Sequence, residues 1–290
     1  MAGEPSDRAL RLSDGRRLGY AEYGDPSGVP VLIFHGNGGS RLQYIPEIER
    51  PPRYICPERP GFGLSDFQRG RTLLDWPADM AELLASLQLD RVAVVGVSAG
   101  GPYALACAFA LKEVYACALV GGALHPDAPV ISDELRPQNR RIERLLRVAP
   151  WLLRLQFARY ARLARRSPAR FEAKMRDLTA QMGASDRDFL SHPDVWSAVV
   201  REEVEGLRAG GRGGWWDAVI LSRPFGFDLE DIRKPVFVWN GSDDRQSPPT
   251  AAAYVAHRIP NAELTIIEGG GHTAAYRRWH DVIAALTASH

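Results

Sequence analysis

The sequence predicts an α/β fold, built as a doubly wound, mostly parallel sheet into which a helical cap is inserted. Short apolar runs alternate with helical stretches in the first 125 residues, and the same alternation returns after residue 222. Between them, residues 126–221 carry helical periodicity only. We therefore expect residues 1–125 and 222–290 to form one core and residues 126–221 to form the cap.

The first half of the predicted core opens with antiparallel structure. Apolar and polar residues alternate on both sides of Ser13–Arg16, which is typical of a hairpin with its turn at these residues. Wholly apolar runs then follow, as expected for strands covered on both faces of a sheet. These strands are predicted at 29–34, 54–57, 91–97 and 116–120, with helices at 73–89 and 101–111 between them.

The cap and the end of the chain complete the pattern. The cap includes Arg140–Arg166, an amphipathic, arginine-rich helical stretch. Its arginines are expected on a solvated helix face, with an anion-binding site as the alternative. After the cap, strands are predicted at 236–239 and 264–267, and helices at 249–259 and 279–289.

Composition and charge argue against several classes of protein function. The 290 residues are 45% hydrophobic, and the formal net charge of +1 gives no global field to hold nucleic acid or an anionic membrane surface. No apolar stretch is long enough for a membrane helix, and the first residues lack the apolar segment of a secretion signal. The three cysteines lie in apolar runs, as in a reducing compartment, so a cytoplasmic location is expected. Neither a monomer nor a homodimer is excluded.

A candidate nucleophile lies in Gly96–Gly100, which has the pattern Gly-x-Ser-x-Gly with Ser98 at its centre. In such a sharp strand-to-helix turn the serine hydroxyl is exposed, and the glycines let strand and helix approach closely. The alternative is an ordinary turn serine. The apolar strand before the motif and the alanine-rich helix after it favour the nucleophile.

A serine hydroxyl needs a base, and the base needs a group that fixes its tautomer. His272 follows three glycines after a predicted strand, which suits a base at a strand end, although a surface histidine has the same local pattern. For the acid, Asp243 and Asp244 both follow the strand at 236–239. The pattern of residues alone leaves both open.

Attack on a carbonyl also needs donors for the oxyanion. The backbone N–H of Ala99 is one candidate, and that of Asn37 in the glycine-rich loop after the strand at 29–34 is the other. His35 in this loop is expected to be a structural hydrogen-bonding residue. Gly36 and Gly38 are expected to let the backbone approach the substrate.

Together these segments resemble the α/β-hydrolase superfamily, and in particular bacterial esterase-like and proline-iminopeptidase-like serine hydrolases. The resemblance extends from about Leu12 to the end of the chain and rests on motifs in the family's order. The acid loop of that family, Gly-x-x-Asp-x-x-x-Pro, selects Asp244 over Asp243. One departure is Asn37-Gly38, where many relatives have a residue followed by proline. The motifs are 35–39, 59–66, 96–100, 241–248 and 271–272.

The resemblance implies a serine hydrolase with Ser98, Asp244 and His272 as its triad. It would cleave a carboxylic ester, lactone or related acyl bond of a small, apolar substrate through an acyl-enzyme. The alternative is a cyclase, dehydratase or carbon–carbon lyase on the same fold. Cap residues are expected to select the substrate, with Trp151 and Trp216 as candidates. No metal-ligand cluster or cofactor motif is found, so no cofactor is expected.

Overall fold

The computed structural model of the protein describes residues 6–129 and 137–288, and its centre is one eight-stranded sheet. The strand order across the sheet is β1-β2-β4-β3-β5-β6-β7-β8. The strands are β1 (Ser6–Arg11), β2 (Arg17–Gly24), β3 (Pro30–Phe34), β4 (Arg53–Pro57), β5 (Val92–Val97), β6 (Val114–Val120), β7 (Val236–Gly241) and β8 (Ala262–Ile267).

The sheet is antiparallel at one end and parallel elsewhere. β1 pairs with β2, and β2 with β4, in antiparallel register, while every pairing from β4 through β8 is parallel. The predicted opening hairpin and the mostly parallel sheet are confirmed. Because parallel strands share a direction, the loops that follow β3, β5, β7 and β8 emerge at the same edge of the sheet.

Helices cover both faces of this sheet, which confirms the doubly wound architecture. Leu83, Tyr103 and Val255 belong to an apolar cluster on one face, and Trp279 and Val282 belong to a second cluster on the other. The helices are α1 (Asp75–Ser86), α2 (Gly101–Ala110), α3 (Pro137–Val148), α4 (Pro150–Arg166), α5 (Pro168–Thr179), α6 (Ala184–Ser191), α7 (Pro193–Gly206), α8 (Arg212–Leu221), α9 (Pro249–Arg258) and α10 (Trp279–Thr287).

Helices α3 to α8 lie between β6 and β7, in the region predicted as the cap. Phe171, Met175 and Trp196 form a small apolar core of their own there. The last of these helices differs from the others, because Ile220 of α8 lies in the main cluster of the sheet. Helix α8 thus belongs to the cap by sequence and packs on the core.

The stretch Arg140–Arg166 is not one continuous helix. It is divided into α3 and α4 at Ala149, which has an extended φ of −155°. Pro150 is the reason, since proline has no backbone N–H and its ring clashes with the preceding turn, so it suits only the first turn of a helix. Among the described residues, the structure contains no helix that is both long and apolar enough to span a bilayer.

Candidate active site

Ser98 lies directly after β5, at the start of a short 3-10 helix over Ser98–Gly100 that leads into α2. Its backbone is left-handed, with φ of +49°. A Cβ at Gly96 would lie 2.5 Å from the Cα of Gly101, and one at Gly100 would overlap the carbonyl oxygen of Phe34. The glycines of the motif are therefore required by the close approach of strand, turn and helix.

The structure brings Ser98, His272 and Asp244 together in a hydrogen-bonded chain. His272 Nε2 lies 3.0 Å from Ser98 Oγ, and His272 Nδ1 lies 2.7 Å from Asp244 Oδ2. These residues come from the loops after β5, β8 and β7. Asp244 thus accepts from Nδ1, which leaves Nε2 able to accept the serine proton.

Asp244, and not Asp243, occupies the position beside His272. Asp244 is 2% exposed, and its second oxygen accepts hydrogen bonds from the backbone N–H groups of Gln246 (2.8 Å) and Ser247 (3.0 Å). Asp243 is exposed and contacts the Ser242 hydroxyl. The carboxylate of Asp244 is fixed by its own turn before it meets the imidazole.

The glycine-rich loop after β3 lies against the serine. A Cβ added to Gly36 would be 3.5 Å from Ser98 Cβ, so this backbone passes directly beside the nucleophile candidate. Asn37 lines the cavity next to Ser98, and its amide donates to Gly214 O at 3.4 Å. Gly38 lies farther along, facing the carboxyl of Glu203. Ala99 is buried in the turn directly after Ser98.

His35 supports this loop. Its Nδ1 lies 2.8 Å from Gly36 O, and its Nε2 accepts from the backbone N–H of Arg59 at 3.3 Å. Burial, together with the Arg59 guanidinium, lowers the pKa of the His35 imidazole well below its usual range. His35 is therefore a neutral hydrogen-bonding residue in the core.

A buried charge cluster connects the same loop to the cap. Arg59 donates to the carbonyl oxygens of His35 (2.5 Å) and Gly36 (3.0 Å), and through Nε to Asp217 (2.8 Å) on α8. Asp217 also accepts from Arg71 and from the Tyr103 hydroxyl. Burial opposes ionisation of Asp217, but Arg59 and Arg71 outweigh it and lower the pKa of its carboxyl.

A cavity of about 290 Å³ opens beside Ser98 and His272. Its wall combines the loops after β3, β5, β7 and β8 with side chains of the cap, and the described residues that line it include no Lys or Arg. The cap contributes mainly apolar groups, together with one threonine and two acids. They are Tyr160, Met175, Leu178, Thr179, Met182, Phe189, Leu190, Trp196, Val199, Glu202 and Glu203.

The two acids of the cavity are neighbours on α7. Glu203 accepts from the Tyr160 hydroxyl at 3.3 Å, and Glu202 accepts from the backbone N–H of Tyr44 at 3.4 Å, so both hydrogen bonds are long. Burial raises the pKa of the Glu202 carboxyl to about 8 and that of Glu203 to about 7. Near neutral pH each is therefore partly protonated.

The structure does not place Trp151 or Trp216 beside Ser98, contrary to the expectation for the substrate site. Trp151 is 62% exposed on α4. Trp216 donates to Arg71 O at 3.0 Å and lines a different cavity, of about 590 Å³, with Arg154 and Arg212. Neither tryptophan lines the cavity beside Ser98, to which α4 contributes Tyr160.

Several residues of the site were not anticipated. Glu202 and Glu203 look like a solvated helix face in the sequence, because acidic pairs on helices usually are. Asp217 directly follows Trp216 in the sequence, and Arg59 lies in the motif at 59–66. Neither position indicates that the two side chains form an ion pair with each other. Only the fold brings these positions to the site.

Comparison with known proteins agrees with the architecture. A model of the alpha/beta hydrolase fold family matches residues 29–277. A solved thermophilic esterase from Thermogutta terrifontis superposes with a TM-score of 0.68 and 23% sequence identity, covering 99% of this chain and 100% of that one. At this identity the likeness shows the fold.

Two similar curated proteins are named as a hydrolase and a depolymerase. The 2-hydroxy-6-oxo-2,4-heptadienoate hydrolase of Pseudomonas putida is 37% identical over 94 residues, which are 30% of this chain and 33% of the relative. The match thus spans about a third of that relative's length. The poly(3-hydroxyalkanoate) depolymerase of Ectopseudomonas oleovorans is 26% identical over 264 residues, covering 85% of this chain and 79% of the relative. The chain therefore belongs to the α/β-hydrolase fold family.

Proposed function

We propose that this protein is a serine hydrolase that cleaves a carboxylic ester, a lactone or a related acyl bond through an acyl-enzyme. The observation that carries the proposal is the hydrogen-bonded chain from Ser98 through His272 to Asp244 at the wall of a cavity. A nucleophile, a base and an orienting acid in mutual contact are what acyl transfer needs.

The roles follow from the geometry. Ser98 Oγ attacks the carbonyl carbon while His272 Nε2 takes its proton, and Asp244 stabilises the resulting imidazolium through Nδ1–H. The oxyanion is held by the backbone N–H groups of Ala99 and Asn37. His272 then protonates the leaving alkoxide, and a water activated by the same imidazole hydrolyses the acyl-enzyme. No cofactor takes part.

The proposal is tested with p-nitrophenyl esters from acetate to long-chain acyl groups, assayed with wild type and Ser98→Ala. We expect turnover by the wild type and a loss of at least about 10³-fold in the variant, because the nucleophile is removed. Labelling of Ser98 by a fluorophosphonate supports the same role. A wild type inert to every ester and to the probe contradicts the proposal and favours the cyclase, dehydratase or lyase alternative.

The cavity also predicts which acyl groups are accepted. Its apolar cap residues suit a neutral acyl chain, and the carboxyls of Glu202 and Glu203 repel a second anion once they ionise. We expect p-nitrophenyl butyrate to be preferred at least about tenfold in kcat/KM over the p-nitrophenyl monoester of succinic acid, which ends in a carboxylate.

This preference depends on pH in a defined direction. Because the pKa values of the two carboxyls are raised to about 7 and about 8, negative charge enters the cavity as pH rises from 6 to 9. The butyrate-to-succinate ratio should rise across this range, and Glu202→Gln/Glu203→Gln should flatten it. A ratio that stays constant in the wild type would contradict a role for these carboxyls in selectivity.

The cellular location is proposed to be cytoplasmic, and a small molecule is the proposed binding partner. Cys56, Cys107 and Cys117 are all buried free thiols, which supports a reducing compartment.

A further inference from the structure

A buried carboxylate of the cap lies against the backbone on both sides of His272. Asp186 belongs to α6 and is 4% exposed. Its Oδ1 accepts hydrogen bonds from the backbone N–H and from the hydroxyl of Thr273, both at 2.8 Å. Thr273 is the residue directly after His272, so a cap side chain fixes the backbone next to the imidazole.

The preceding residue is equally close to this carboxylate. A Cβ added to Gly271 would lie 2.5 Å from Asp186 Cγ, which is closer than any side chain can approach. Glycine at this position is therefore required by the Asp186 carboxylate. The glycine before His272 thus makes room for the carboxylate of Asp186.

Asp186 has no compensating positive charge among the residues that the structure describes. The nearby cation, Arg277, pairs at 2.6 Å with Asp188, two positions farther along α6 and 69% exposed. A buried carboxylate without a cation is costly, and it is retained only where its hydrogen bonds hold something in place. Both hydrogen bonds of Asp186 end on Thr273.

We infer that Asp186 is a positioning residue that sets His272 against Ser98 and makes the geometry of the base depend on the seating of the cap. The inference rests on the proposed function, in which His272 takes the serine proton. Its Nε2 lies 3.0 Å from Ser98 Oγ, and a displacement of about 1 Å in such a pair can lower the rate about 10²-fold. Asp186 acts through the backbone at 271–273 and does not touch the reacting atoms.

The kinetic test compares Asp186→Ala, Asp186→Asn and Asp188→Ala. Asp188→Ala is the matched control, because it removes a different carboxylate of α6, one that pairs with Arg277 in the same part of the chain. We expect Asp186→Ala to lower kcat for p-nitrophenyl esters at least about tenfold while KM changes less than about threefold. Asp186→Asn keeps an acceptor oxygen for Thr273 and should recover most of kcat, and Asp188→Ala should match the wild type.

All variants are assayed at a temperature at which circular dichroism shows them folded. If Asp186→Ala lowers only the melting temperature and leaves kcat unchanged, Asp186 is a structural anchor and the inference is overturned. An equal loss of kcat in Asp186→Ala and Asp188→Ala also overturns it, because the effect would then belong to cap attachment in general.

A second readout does not depend on turnover. In protein labelled with ¹⁵N-histidine, the proton between His272 Nδ1 and Asp244 gives a low-field resonance that is assigned by its loss in His272→Gln. We expect this resonance to shift or broaden in Asp186→Ala and to persist in Asp188→Ala. An unchanged resonance in Asp186→Ala contradicts the inference. If the wild type cleaves no ester, the proposed function fails, while the resonance still tests the position of His272.

Discussion

Ser98 keeps a left-handed backbone, with φ of +49°, although it carries a side chain. Such a conformation costs of the order of 1–3 kcal/mol, so the surrounding contacts must enforce it. Gly96 and Gly100 contribute to these contacts, because without side chains they allow β5 and α2 to pack closely around the turn. The packing around the turn thus keeps the Ser98 hydroxyl exposed.

We predict that Gly100→Ala lowers the free energy of unfolding by about 2–3 kcal/mol and lowers ester turnover by more than tenfold. The new Cβ would overlap the carbonyl oxygen of Phe34, and overpacking at a tight backbone contact has this cost. Urea denaturation and kcat/KM measure the two effects. Gly183→Ala is the control, because a Cβ there meets nothing within 4 Å, and a similar loss in that variant would contradict the steric argument.

We predict that Asp244→Asn lowers kcat by about 10²–10⁴-fold with little change in KM. Asparagine fits the same space, but its amide favours the wrong imidazole tautomer and removes the charge that stabilises the imidazolium. Asp243→Asn provides the matched control next to it in the chain and should retain wild-type kcat, since Asp243 is exposed. Equal losses in both variants would remove the acid role from Asp244.

At the scale of elements, α7 places two neighbouring carboxyls into the cavity wall. A helix usually turns acidic residues to solvent, but here α7 packs over the loop after β3, where Ser40 Oγ donates to Glu202 O at 2.9 Å. A Cβ on Gly38 or Gly39 would meet the carboxyl groups of Glu203 and Glu202. The helix is thus held with its acidic residues inward.

We predict that Glu202→Gln stabilises the fold increasingly as pH rises. The pKa of this carboxyl is about 8 in the folded chain against a usual 4.5, so the folded state keeps a proton that the unfolded state has lost between these values. The contribution of this carboxyl to the stability of the wild type therefore falls as pH rises from about 4.5 to 8. The advantage of the variant should grow by about 4 kcal/mol between pH 5 and pH 9.

Urea denaturation at several pH values measures this advantage. Glu263→Gln, at an exposed position of β8, is the control and should show a constant difference from the wild type. An advantage of Glu202→Gln that is already complete at pH 5, or absent at pH 9, would contradict the raised pKa.

At the scale of the whole molecule, the cap and the core are joined through buried carboxylates. Asp217 connects α8 to Arg59 and Arg71 of the core, and Asp186 connects α6 to the loop of His272. Arg59, which pairs with Asp217, also donates to the backbone carbonyl oxygens of the loop after β3. Asp217 therefore supports that loop through Arg59. The cap therefore contacts the supports of both the proposed oxyanion loop and the proposed base.

We predict that Asp217→Ala lowers the free energy of unfolding by about 3–5 kcal/mol, because Arg59 and Arg71 would remain buried without their partner. Glu230→Ala, which breaks a half-exposed pair with Arg258, is the control and should leave the free energy of unfolding nearly unchanged. Denaturation in urea followed by fluorescence gives both values, and similar losses would contradict the burial argument.

The sequence was sufficient for features that are encoded locally. Each strand and the loop after it lie in one short segment, so the elbow at Ser98 and the loops of His272 and Asp244 could be located before their contacts were known. Asp186 meets Thr273 across 87 positions, and Arg59 meets Asp217 across 158. Such pairs depend on how the cap packs, which periodicity does not specify. The positions of Trp151 and Trp216 outside the cavity beside Ser98 depend on the same packing.

The position of the cap between β6 and β7 also bears on synthesis of the chain. β7 pairs with β6 about 120 residues after it, so the ribosome delivers Ser98 and the entire cap before either Asp244 or His272 exists. A nascent chain halted in the cap would expose the open edge of β6 and hold a serine with no base. The proposed triad is thus complete only after the last strands of the sheet have been synthesised.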